Sequence, residues 1–187
     1  MKKIILVILS IFIFQVCKKN TNEKVFLEEA KETALQAKSE LGKNLSNAIK
    51  SKGTAEAIVF CNQKAIPLTI EMSEKAGMLL KRVSDKPRNI VNTANEEEKN
   101  IIDEFKTQLS KGEKLKPVLK ETNVEKIAYL PIETNAMCLQ CHGSLEKDIS
   151  KEVQQKLKEL YPNDKAVGYS ENQMRGMWVV SKKLESN

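Results

Sequence analysis

The sequence predicts an α+β domain, a small antiparallel sheet flanked by helices, with a long helix on its N-terminal side. Two observations carry this. Apolar residues recur at intervals of three and four over most of the first 72 positions, and short strand-like runs bounded by turn residues fall later in the chain. About 170 residues follow the N-terminal hydrophobic run, within the range of a single core. No repeat or low-complexity tract divides them. Helices placed around such strands give one α+β unit over residues 24–187.

Taken in order, the chain opens on the basic Met1-Lys2-Lys3, followed by an apolar run from Ile4 to Val16. That run is shorter than the ~20 residues of a bilayer span and suits the hydrophobic region of a secretory signal. Residues 1–17 are therefore read as a signal. Cys17 closes it in the manner of a bacterial lipobox, in which the thiol is acylated, although Val16 stands where a small residue is usual. An ordinary cleaved signal and an uncleaved anchor are the alternatives. Each places the domain outside the cytoplasm, and a lipid on Cys17 would tether it to the membrane.

Residues 24–52 form an amphipathic helix, with Leu27, Ala30, Ala34, Ala37, Leu41, Leu45 and Ala48 on one stripe. The helix also offers a surface for packing against a copy of itself in a homodimer. Gly53 separates it from a helix over 54–72, capped by Thr54 and kinked or ended near Pro67. Ala57, Cys61, Ala65, Leu68 and Met72 share its inner face. A strand over Met78–Ser84 ends at Asp85-Lys86-Pro87. Asn95-x-x-Glu98 opens a helix that reaches Lys111, with Gly112 at its end. Leu115–Glu121 and Lys126–Ile132 make a hairpin around Thr122-Asn123. A helix from about Asp148 to Leu160 and a strand over Met174–Leu184 complete the unit. Tyr129, Tyr169 and Trp178 read as packing residues.

The chemistry lies between the hairpin and that last helix. Cys138-Leu139-Gln140-Cys141-His142 is a C-x-x-C-H motif, the attachment sequence of c-type haem, and it contains the chain's single histidine. Two thiols three residues apart reach both vinyl groups of one porphyrin as thioethers, while the next residue turns its imidazole to the iron. The expected cofactor is thus one covalent haem c. An extracytoplasmic location agrees, since haem c is attached on that side of the membrane.

Two other uses of these residues are disfavoured. Cys61, Cys138, Cys141 and His142 make a Cys₃His set, but adjacent Cys141 and His142 reach one tetrahedral zinc with difficulty. A thioredoxin-type dithiol needs a βαβ setting that is absent here. With His142 on one side of the iron and no second histidine, the other axial donor is Cys61, a methionine (Met72, Met78, Met137, Met174 or Met177), a lysine, or none. A buried free cysteine is also commonly just a small apolar side chain. The residues alone leave this open.

The chain resembles a family of periplasmic c-type haem proteins with a PAS-like fold, long catalogued as a domain of unknown function. The resemblance runs from about Thr54 to Val180. It rests on Ala57-Ile58 with Cys61, on Arg82 and Ser84, on Arg88-Asn89 with Asn92, and on Pro131-Ile132. The stretch Cys138 to Gly143, Tyr161-Pro162 with Asp164 and Ala166, Gly168-Tyr169 and Arg175-Gly176 complete it. The family's pairing of the motif histidine with an upstream helix cysteine implies Cys61 as the second axial ligand. After Arg88-Asn89 the family is rich in proline, whereas this chain reads I-V-N-T-A-N-E-E-E, which implies a reshaped loop. Arg82, Arg88 and Arg175 are the only arginines, and guanidinium groups suit haem propionates. The resemblance favours Arg88 and Arg175 for that role.

The formal charge of +6 falls to +4 once Lys2 and Lys3 leave with the signal, and the rest is scattered without aromatic interleaving. That pattern excludes a nucleic-acid footprint. A haem held by His142 and Cys61 suits electron transfer or redox sensing with a redox or signalling partner protein. The alternative is a haem-based NO or CO sensor in which gas displaces Cys61. An enzyme such as a peroxidase is not expected, since no second histidine is available for acid–base work.

Overall fold

The computed structural model describes the backbone of residues 2–184 and the side chains of residues 22–184. The side chains of the signal segment, including Cys17 and its expected lipid, lie outside the described residues. Five α-helices and four strands follow in the order α1 (Lys2–Lys52), α2 (Thr54–Ala76), β1 (Leu79–Val83), α3 (Glu96–Ser110), β2 (Val118–Glu121), β3 (Glu125–Glu133), α4 (Ala136–His142), α5 (Lys151–Leu160) and β4 (Met174–Lys183). A 3₁₀ turn at Ile90–Asn92 links β1 to α3. The sheet is antiparallel throughout, in the order β1-β4-β3-β2. This is the predicted α+β class, with most element ends within a few residues of the expected ones; α1, however, begins at Lys2 and not at residue 24, and the C-x-x-C-H stretch forms a short helix, α4, that was not expected. Among the described residues, no helix is long and apolar enough to cross a membrane.

Alternation along β4 sorts the core into two layers. Trp178 and Val180 face α1, whose Phe26, Ala30, Ala34 and Ala37 are buried against them with Leu80, Ala128 and Leu130. Met177 and Val179 point the other way, into Ile101, Ile102 and Phe105 of α3. Small residues on the α1 stripe let that helix lie close to the sheet. A third cluster joins the start of α2, through Ala55 and Ile58, to Val153 and Leu157 of α5 and to Tyr161.

Local chemistry explains most element boundaries. Asn95 accepts from Glu98 N at 2.8 Å, and the Glu98 carboxylate accepts from Asn95 N at 2.9 Å, so the predicted capping box is complete. Asn95→Ala should therefore cost about 1 kcal/mol. Urea denaturation measures it, and an unchanged midpoint would mean that water replaces the cap without loss.

Two expectations at α2 are corrected. Thr54 is the first helical residue and Gly53 holds the cap position, with no side-chain cap. The Thr54 hydroxyl instead lies 3.3 Å from Gln140 Oε1 on α4, a tertiary contact that takes it away from capping. Pro67 does not end the helix, which runs on to Ala76. The carbonyl that loses its donor belongs to Gln63, which is exposed along with Pro67, so water can satisfy it. Buried residues on both sides of the proline, Ile58 and Thr69, hold the helix in place.

Candidate functional site

The C-x-x-C-H residues end β3's outgoing connection. Asn135 caps α4, its side chain accepting from Cys138 N, and the seven-residue helix stops at His142 because Gly143 turns extended. A side chain at Gly143 would put Cβ 2.5 Å from Asp148 Cβ, so only glycine lets the following loop close here. Asp148 holds that loop by accepting from Ser144 N at 2.7 Å. Cys138 and Cys141, one helical turn apart, share a face and are half-buried with free thiols.

A strap from Asp164 to Tyr169 lies along the end of this helix. Gly168 N donates to Gly143 O at 2.8 Å, and Tyr169 N donates to His142 O at 2.9 Å. His142 Nδ1 lies 2.7 Å from Ala166 O. A carbonyl only accepts, so Nδ1 carries the ring proton and the lone pair is left on Nε2. Burial, together with the positive charge of Arg88, Arg175 and Arg82, keeps the imidazole well below its ordinary pKa of 6.5, despite the bond to Ala166. His142 is a neutral ring with one nitrogen anchored and the other free to ligate a metal.

Arg88 fastens the strap to the motif. Its Nε pairs with Asp164 Oδ2 at 3.0 Å, and its Nη2 donates to Cys141 O and, at 3.2 Å, to Ala166 O. Asp164 Oδ1 accepts from Ala166 N at 2.8 Å. The arginine expected to meet a propionate is thus largely engaged inside the protein. Arg175 differs. Its Nη1 donates to Ser84 Oγ at 2.9 Å, but its Nε is buried without a partner, as is the Tyr169 hydroxyl. Tyr169 lies between two cations, with Lys86 Nζ 4.6 Å and Arg175 Cζ 5.5 Å from its ring centre, and meets the His142 ring edge-on.

Cys61 is half-buried on α2. Burial pushes its thiol up from the ordinary value, while Arg82 and Arg88 pull it down. Burial likewise pushes Cys141 up to about 11, with opposite contributions from Arg88 and from Cys61. Cys61, Cys141, His142 and the three arginines therefore share one electrostatic neighbourhood. Arg82 stacks over Trp178 at 5.3 Å. Of the methionines weighed as ligands, Met78, Met174 and Met177 are buried in the two sheet cores and Met137 is exposed. Met72 packs half-buried against the α1 side.

Sequence reasoning brought together Cys61, Cys138, Cys141 and His142. It missed Asp164 and Ala166 as individual contributors, although each stands in the segments that carried the family resemblance.

The fold and this site define a four-stranded α+β domain that carries, at one end of its sheet, a cysteine–histidine cluster within electrostatic reach of three arginines. The profile of the Tll0287-like family matches residues 18–182, and the chain belongs to that family. No curated protein sequence matches the chain. Its fold is similar to the crystal structure of the cyanobacterial heme-protein Tll0287, with a TM-score of 0.58 at 19% identity. The similarity covers 82% of this chain and 94% of that one.

Proposed function

We propose that this chain is an extracytoplasmic monohaem c-type cytochrome that works in electron transfer or redox sensing. The observation that carries the reading is the C-x-x-C-H helix whose histidine is tied at Nδ1 to Ala166 O, which leaves Nε2 for the iron. Family membership and the haem of the solved relative support it. The unpartnered Arg175 Nε and Tyr169 hydroxyl are buried donors of the kind a propionate carboxylate requires.

When bound, the haem supplies a one-electron ferric–ferrous couple. The protein's part is to hold and tune it. Cys138 and Cys141 would fix the macrocycle, and His142 would be one axial ligand. Cys61 would be the other, as the family resemblance implies; of the candidate methionines, Met78, Met174 and Met177 are spent in the cores. Thiolate ligation favours the ferric state and a low potential. Arg175 and Tyr169 would receive carboxylate groups in a dry setting. With its single histidine used as a ligand, the site holds no distal imidazole for peroxide chemistry, and we read the protein as non-enzymatic. A redox or signalling protein partner and a lipid anchor at Cys17 complete the proposal.

A second reading starts from the weaker binding of thiolate by ferrous than by ferric iron. Reduction would loosen Cys61, protonation of the half-buried thiol would help it leave, and NO or CO would take the vacated place.

The test is the optical spectrum of ferric and dithionite-reduced protein, made in a host that matures c-type haem. Thiolate charge-transfer bands are expected in the ferric form and lost in Cys61→Ala. A methionine-type spectrum indifferent to Cys61 would remove the His/Cys assignment. CO uptake by the reduced parent protein at the rate seen for Cys61→Ala would favour the gas-binding reading.

A further inference from the structure

Ala166 O sits at the meeting point of the proximal histidine and a buried ion pair. It accepts from His142 Nδ1 at 2.7 Å and from Arg88 Nη2 at 3.2 Å. The carbonyl thus carries two donors on its two lone pairs, one of them cationic. Asp164 closes the ring from the other side. It takes Arg88 Nε at 3.0 Å through Oδ2 and Ala166 N at 2.8 Å through Oδ1. Both partners of the pair are nearly inaccessible, with side chains 11% and 10% exposed, so water screens their charges poorly.

We infer that Arg88 and Asp164 are positioning residues that set the donor strength of His142 through their shared hold on Ala166. The inference rests on His142 being the haem ligand. A guanidinium on the Ala166 oxygen draws electron density from it and makes it a weaker acceptor for the imidazole N–H. The ring then keeps its Nδ1 proton more tightly, and Nε2 becomes a weaker donor to the iron. A weaker donor stabilises the ferric state less and raises the potential. Asp164 opposes this by neutralising the guanidinium. The same arginine also holds Cys141 O, so it fixes the end of the motif helix while it tunes the ring. Its place is beside the ligand's anchoring carbonyl, in contrast to the propionate role that its residue type suggested.

Because His142 is the chain's only histidine, labelling with ¹⁵N-histidine reads a single ring. The experiment compares the haem-loaded parent chain with Arg88→Met and Asp164→Asn, following the Nδ1–H resonances and the reduction potential together. Arg88→Met removes the competing donor and should strengthen the Nδ1–H bond and lower the potential. Asp164→Asn removes the negative charge and keeps one acceptor oxygen, for Ala166 N, while its amide nitrogen cannot accept from Arg88 Nε; the uncompensated guanidinium should weaken the His142 Nδ1–H bond and raise the potential. Opposite shifts in the two variants are the expected result. Shifts of the same sign, or Nδ1 signals unchanged in Asp164→Asn, would overturn the inference. Should Arg88→Met not fold, Asp164→Asn alone still decides by the sign of its shift. A parent protein that gives no pyridine haemochrome would instead sink the haem reading itself, a distinguishable failure.

Discussion

Replacing Cys138 and Cys141 together by alanine is expected to give a folded protein that retains no haem after denaturation, whereas the parent chain should stain strongly for haem on a denaturing gel. The expectation of folding comes from where these side chains sit. Both are half-buried, outside the two layers that pack the sheet, and only Cys141 touches the cluster formed by α2 and α5. Cys138 Sγ has a single weak partner, Asn135 Oδ1 at 3.3 Å. Loss of the thiols therefore removes little packing, while the chemistry is all-or-none because thioethers need sulfur. Either single variant keeps one thioether and should stain at an intermediate level. Full staining of the double variant would show that the attachment lies elsewhere and would end the c-type assignment.

The largest effect on stability is expected from Gly176→Ala, at about 3 kcal/mol. Gly176 has φ of 154°, a conformation that side chains rarely adopt, and an added Cβ would stand 2.4 Å from Val83 O and 3.2 Å from Ser84 Cβ. Neither neighbour can move cheaply. Val83 is paired with Met177 at the end of the β1–β4 ladder, and Ser84 both accepts from Arg175 Nη1 and donates to Arg175 O. Relief of the clash would thus push β1 away from β4 and carry Arg175 with it. The loss is read as a fall in the urea midpoint, and haem-loaded protein should show a shifted potential as Arg175 moves. A midpoint within about 0.5 kcal/mol of the parent would mean that the strand end is softer than its pairing implies.

What the sequence made legible is what chemistry or geometry keeps local. The C-x-x-C-H motif occupies five consecutive residues because the attachment proposed for it joins two vinyl groups and one iron a fixed distance apart. The capping box of Asn95 and Glu98 spans one helical turn, and the α1 stripe repeats with the helix itself. Thr54 and Pro67 misled for the opposite reason. Each obeys a local rule that a contact elsewhere overrides, Gln140 for the threonine and the packed flanks of α2 for the proline. The strap was illegible as a set of contacts because its bonds join distant segments. Arg88 meets Cys141 across 53 residues and Asp164 across 76, and no periodicity records such pairings. The family resemblance marked those residues without saying what they touch.

The sheet order has a consequence for when things happen to the chain. β4 is the last strand in sequence yet lies between β1 and β3, and β1 has no other ladder partner. The strap over His142 comes just before it. The sheet cannot close, nor the strap settle, until the final residues arrive, by which time the helix with both thiols has long been made. Assembly order therefore puts the strap's contacts with His142 among the last to form, after the helix that carries both thiols.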